Sequence, residues 1–147
     1  MKQTILTPQC TIQRSDLSLS EIAKPMFSKL YLVLGALFAG LSVVFSAAFA
    51  HLPAFTLGLP VMVQTALNQQ QFHALGLMLI GLAIYQQRFC PWLLACGGLL
   101  LVGMVFFSFN IYARQLLDFD AFRAWVPWGG GAWILAWLAA AIGFARR

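Results

Sequence analysis

Apolar positions in this chain come in long uninterrupted runs rather than in alternation, and polar positions gather between the runs and at the two ends. The first run, Leu30 to Ala50, holds no charged residue. At 1.5 Å per residue, about 20 residues cross the hydrocarbon core of a bilayer. The run closes on Ala48-Phe49-Ala50, which imitates a signal-peptidase site. It is longer than a usual signal core and the sequence starts at Met1, so a retained membrane helix is expected. A second run, about 70–86, opens on the polar string Asn68-Gln69-Gln70-Gln71 and stops at Gln86-Gln87-Arg88. The third, about 92–112, follows Pro91, a favourable first-turn residue. The fourth, about 127–145, starts at Pro127 and ends against Arg146-Arg147.

This pattern predicts an all-α membrane protein, a four-transmembrane-helix bundle with short amphipathic segments on its outer side. Residues 1–27 read as a polar cytoplasmic tail and 28–147 as one transmembrane domain. Leu57 to Leu67 is expected to form a short helix lying on the interface. Arg114 to Trp125 is expected to form an amphipathic connection, with Leu116, Leu117, Phe119, Phe122 and Trp125 dipping into lipid.

Composition makes a soluble reading untenable. The chain is 61% apolar and 9% charged, against roughly 25% charged in an ordinary soluble domain. The net charge of +5 does not form a patch. The basic residues sit singly or at the termini, which argues for topology and against nucleic acid as a partner. Lys2, Arg14, Lys24, Lys29, Arg88, Arg146 and Arg147 fall on one side of the expected bundle, Arg114 and Arg123 on the other. Positively charged loops stay in the cytoplasm, so both termini are expected there. Tyr31, Tyr85 and Trp92 would mark one interface, and Tyr112, Trp125 and Trp128 the other. Cys10, Cys90 and Cys96 are too few for a disulfide framework and read as free thiols.

Helices already in lipid gain little from apolar contact, so close approach must come from small side chains. Each run offers them: Gly35 with Ala39, Ala36 with Gly40, and Ser42, Ser46 and Ala50; Ala74, Gly76 and Gly81; Gly97, Gly98 and Gly103; Ala132, Ala136 and Ala140, with Ala139 and Gly143. Such stripes serve an intramolecular bundle or a homo-oligomer equally well.

Chemistry-bearing residues are scarce. His51 closes the first run and His73 opens the second, so both are expected at the outer end beside Gln70, Ser108, Asn110 and Tyr112. Polar groups at membrane depth are costly and usually face the protein interior or water. The plainest role for this cluster is bonding exposed carbonyls and anchoring helix ends. The alternatives are a ligand such as a quinone or lipid headgroup, contact with a larger membrane complex, or haem or a metal ion held between His51 and His73. No cofactor is required by anything in the sequence. Transport has little support, because no run carries a charged residue midway. Enzyme chemistry has less: the four carboxylates lie in the tail and one loop, and Gly129-Gly130-Gly131 lacks the Lys-Ser or Lys-Thr of a phosphate loop.

From Gly35 onward, over about 110 residues, four collinear stretches carry a family likeness. They are Ala47-Ala48-Phe49-Ala50-His51; Thr65-Ala66, Gln70 and Phe72-His73-Ala74-Leu75; Gly103 through Phe107-Ser108 to Tyr112; and Pro127-Trp128-Gly129-Gly130 through Trp137. Together they resemble the YgdD-like inner-membrane proteins, domain of unknown function 423. Ser46 and Phe49 stand where that family usually has glycine, Gln69 where it has tyrosine, and Phe109 where it has a small residue. The resemblance implies four helices in the bacterial inner membrane and supplies no activity. The expected role is a structural or accessory component of a membrane assembly.

Overall fold

A computed structural model describes residues 19–86 and 90–146. Most of the expected tail and Arg88 therefore lie outside the described residues. Among those described, every element is helical. Helix α1 runs Leu19–His51 and α2 Val61–Gln86. A third rod is built of α3 (Pro91–Gly103), one π-helical turn (Met104–Phe109) and α4 (Asn110–Leu117). Helix α5 (Val126–Ala145) completes the set. Two short 3-10 turns, Pro53–Phe55 and Arg123–Trp125, lead into α2 and α5.

The ends follow from local chemistry. Proline occupies the first turn of both α3 and α5, where its missing N–H costs nothing. Helix α4 stops where Asp118 turns left-handed at φ 51°, a conformation Asp tolerates better than most residues. Arg114 Nε then pairs with Asp120 Oδ1 at 2.8 Å across the turn, and Asn110 Nδ2 donates to the Phe122 carbonyl at 2.6 Å.

Helix α1 packs chiefly on α2, and α3 chiefly on α5; α2 joins the two pairs through α3, the π turn and α4. The α1–α2 contact is nearly backbone to backbone. A Cβ on Gly35 would lie 2.9 Å from the Ala74 carbonyl oxygen, and one on Gly81 2.9 Å from the Leu32 nitrogen. Ser28 Oγ donates to the Gly81 carbonyl at 3.0 Å in the same seam. Between α5 and the third rod, Gly129 lies so close to the π turn that a Cβ there would be 2.7 Å from the Phe107 nitrogen. The core gathers in two clusters, one around Leu77, Leu93, Leu100, Met104 and Trp133, the other around Phe49, Val63, Leu67, Ile111 and Tyr112.

Three segments are long and apolar enough to cross a membrane: Pro25–His51, Pro91–Leu117 and Arg123–Ala145. The expected second crossing lies within α2, whose 26 residues are long enough but interrupted by polar side chains. The expected interfacial helix at Leu57 to Leu67 does not exist as a separate element. Its residues from Val61 onward are the first turns of α2, because Asn and Gln do not break a helix. They brace it: Gln64 Nε2 donates to Asn68 Oδ1 at 3.0 Å, and Thr65 Oγ1 to the Val61 carbonyl at 2.8 Å.

Two more expectations change. Tyr31 and Tyr112 are core residues rather than interface markers, each 4% exposed, and Tyr31 fits against Gly97 while donating to the Leu94 carbonyl at 2.8 Å. Tyr85, Trp125 and Trp128 are exposed, and Arg146 stacks over Trp92 at 5.2 Å. Of the small residues in α1, Gly35 and Ser42 are buried, whereas Ala36, Gly40, Ser46 and Ala50 face outward. Cys90 and Cys96 are free thiols.

Candidate functional site

The continuity of α2 moves the site. With the helix starting at Val61, His73 sits halfway along it rather than in its first turn. Helices α1 and α2 run antiparallel, with Gly35 against Ala74 and Phe38 against Gln70. His73 is therefore roughly level with Ala36 of α1, inside its apolar stretch Pro25–His51 rather than at its end. Its imidazole stacks on the Trp133 indole, centroids 3.9 Å apart and planes 5° from parallel. Trp133 in turn lies against Gly103 and donates from Nε1 to the Leu100 carbonyl at 3.3 Å. This histidine is buried inside the bundle rather than at its end.

His51 is elsewhere. It is the exposed last residue of α1. By the same register it lies about 15 residues beyond the level of His73, roughly 22 Å along the axis. One ion or haem iron cannot be shared across that gap, so the pairing of His51 with His73 is not a metal site. Among the described residues, no three His, Cys, Asp or Glu side chains come together.

The other candidates do converge, as a staple. Gln70 is fully buried; its Nε2 donates to the Phe38 carbonyl of α1 at 3.0 Å, and its Oε1 accepts from Tyr112 Oη at 2.9 Å. Ser108, in the π turn, donates to the Ala66 carbonyl at 3.0 Å. Phe45 and Phe49 enclose the Tyr112 ring at 5.0 and 5.4 Å. Gln70, Ser108 and Tyr112 thus tie α1, α2 and the third rod together, while Asn110 holds the following loop. Each bond satisfies a donor that would be costly to strand in an apolar interior. None of these groups is poised as an acid, base or nucleophile.

His73 differs from them. Its Nδ1 lies 2.8 Å from the Gln69 carbonyl oxygen. A carbonyl only accepts, so Nδ1 carries the proton, and in the neutral ring Nε2 keeps its lone pair. His73 lines a groove of about 300 Å³ with Gln69, Phe107, Gly130, Trp133 and Trp137. Sequence reasoning singled out His73 but missed Trp133 and the groove, because nothing in spacing alone reveals which indole an imidazole stacks on.

The sequence profile of the family described as "Protein of unknown function (DUF423)" matches residues 45–130, more than half of the chain. The chain belongs to this family. The matched stretch contains His51, Gln70, His73, Ser108, Tyr112 and Gly130. UPF0382 membrane protein SH2409 of Staphylococcus haemolyticus is 35% identical over 113 residues, 75% of this chain and 90% of the relative. UPF0382 inner membrane protein YgdD of Escherichia coli K12 is 28% identical over 123 residues, 82% and 93% of the two chains. UPF0382 membrane protein SSP2132 of Staphylococcus saprophyticus is 33% identical over 118 residues, 78% and 96%. No solved structure matches. The apolar helices and these relatives make the chain an integral membrane protein of the DUF423 family.

The separation of the histidines has a direct consequence. Replacing His51 with Gln should hardly change thermal unfolding in detergent, and His73→Gln should cost about 1 kcal/mol through loss of the stack. The double variant should equal the sum within about 0.5 kcal/mol, as for distant independent sites. A large loss from His51→Gln alone, with nothing further lost in the double variant, would show that both hold one object.

Proposed function

We propose that this protein is a four-span accessory component of an inner-membrane assembly, with both termini cytoplasmic, docked through the outward face of α2. The observation that carries the reading is a line of amides where lipid is expected. Gln64, Asn68 and Gln71 are exposed on α2 and lie at helical spacing on one face, followed by exposed Leu75 and Leu79. Gln71 is level with the middle of the apolar stretch of α1, and Gln64 about 10 Å from it. Hydrocarbon extends about 15 Å to each side of a bilayer's centre, so all three side chains fall within it when α2 crosses beside α1. An amide left in hydrocarbon costs several kcal/mol. A partner helix bearing its own polar groups removes that cost, because such groups glue membrane helices together. The stapling of the interior polar residues to backbone carbonyls supports a scaffold rather than an enzyme.

A photoreactive benzoylphenylalanine placed at Asn68 in living cells should give one protein adduct of defined mass, and the same probe at Val33, on the exposed face of α1, should give none. A dimer-sized adduct identifies a second copy; a larger or smaller one identifies another subunit. Lipid adducts alone at Asn68 would sink the reading.

The orientation has its own check. In a background lacking Cys10, Cys90 and Cys96, cysteines at Gln3, Gln87 and Arg147 should resist an impermeant thiol reagent in intact cells. Those at Thr56 and Asp118 should react almost completely. Labelling of either terminus from outside would reverse the orientation.

A further inference from the structure

Gln70, Ser108 and Tyr112 spend their side-chain bonds within the protein, whereas His73 spends only one of its two ring nitrogens. His73 is 3% exposed, yet no group among the described residues pairs with its Nε2. Nor is that atom sealed in: no fully enclosed side-chain nitrogen or oxygen lacks a partner among the described residues. One ring face is covered by Trp133, the Phe72 ring meets the imidazole edge-on at 5.2 Å, and Nδ1 is held by Gln69. His73 lines the groove with Gln69, Phe107, Gly130 and Trp137, and Nε2 is the ring nitrogen that no other group holds there.

From this arrangement we propose that the groove binds a membrane-dissolved phenol, its hydroxyl donating to His73 Nε2 and its flat ring lying among Phe107, Trp133 and Trp137. The fixed proton on Nδ1 decides the polarity of the contact: the neutral ring can only accept at Nε2, so the ligand must donate. The depth decides its solubility, because a donor reaching this level through lipid must be carried by an apolar body. The walls decide its shape, since aromatic faces and edges receive a flat ring at centroid distances of about 4.5–7 Å. A groove of about 300 Å³ admits one or two fused rings. Gly130 supplies the opening: a Cβ built there meets nothing within 4 Å. The site faces α5, on the side of α2 opposite Gln64, Asn68 and Gln71, so it stands or falls independently of the docking face.

The chain has only two histidines, which makes imidazole 15N resonances a selective readout. The full chain, labelled with 15N-histidine in lipid nanodiscs, would be titrated with 1-naphthol, with its methyl ether, and with saturated 1-decalol. The His51→Gln variant assigns the signals. Naphthol should move the His73 Nε2 resonance saturably and leave His51 unchanged. The ether should bind about tenfold more weakly, the worth of one hydrogen bond, and decalol should also bind more weakly than naphthol. A Cβ at Gly130 meets no protein atom within 4 Å, so Gly130→Leu should keep the resting His73 signal and, by extending into the groove, abolish the response. An equal response to naphthol and its ether overturns the hydrogen bond, and an equal response to decalol overturns the aromatic class. No movement of the wild-type signal, or a full response in Gly130→Leu, overturns the site.

Discussion

Leucine in place of Gly35 should pull α1 away from α2, while leucine in place of Gly40, five residues on, should leave the protein intact. A side chain on Gly35 starts 2.9 Å from both the Ala74 carbonyl oxygen and the Met78 nitrogen. Those are backbone atoms of a packed helix and cannot swing aside. Relief requires the helices to separate, which breaks the Ser28–Gly81 and Gln70–Phe38 bonds along the same seam. Overpacking of a tight interior costs typically about 1–3 kcal/mol, and these lost bonds add to it. Gly40 meets nothing within 4 Å and lies exposed. There the substitution also removes a glycine from a helix interior, worth up to about 1 kcal/mol in the favourable direction. Thermal unfolding in a mild detergent would read both. Equal destabilisation would mean that α1 does not meet α2 along the Gly35 face.

The contrast between these glycines shows where sequence reasoning stops. Both belong to four-residue stripes of small residues in the same apolar run, and the pattern treats them alike. Only the neighbouring helix separates them. What was legible came from large effects: the cost of exposing so many apolar residues to water, the family likeness along the chain, and the helical character of every apolar run. Proline marked the starts of α3 and α5 because its chemistry acts within one turn.

The position of His73 was not legible, and the cause is physical. The string Asn68-Gln69-Gln70-Gln71 looks like the boundary where a membrane helix emerges. In the structure these residues divide by face: Gln70 is buried against α1, Gln69 is half-buried at the groove, and Asn68 and Gln71 face outward. Polarity along the chain does not say whether an amide meets water, a backbone carbonyl or a partner. The helix therefore begins at Val61, and His73 moves from an expected end to the middle. The π turn at Met104–Phe109, which packs closely against Gly129, was equally hidden, since no local composition marks it. Of the expected cluster, Gln70, Ser108 and Tyr112 share one seam, while His51 stands alone.

Removing the Gln70 amide should have the largest effect of any polar change, and it should mask the loss of Tyr112's hydroxyl. Gln70→Leu keeps the side-chain volume but deletes two bonds at once, to the Phe38 carbonyl and from Tyr112 Oη. The carbonyl belongs to a helix and keeps its own partner. The hydroxyl does not: Tyr112 is 4% exposed and sits among Phe45, Phe49 and Phe109. Leaving a buried donor unsatisfied costs about 1–3 kcal/mol, above the 0.6 kcal/mol average for a hydrogen bond between membrane helices. Tyr112→Phe alone should cost less, about 1 kcal/mol, because Gln70 retains its bond to α1. In the double variant no hydroxyl remains to be stranded, so it should be no less stable than Gln70→Leu alone. Such strong non-additivity is the mark of two groups in one bond. Unfolding measured by loss of helical circular dichroism in detergent would supply the four stabilities. A double variant equal to the sum of the single losses would mean that Gln70 and Tyr112 do not meet, and the seam joining α2 to the third rod would have to be redrawn.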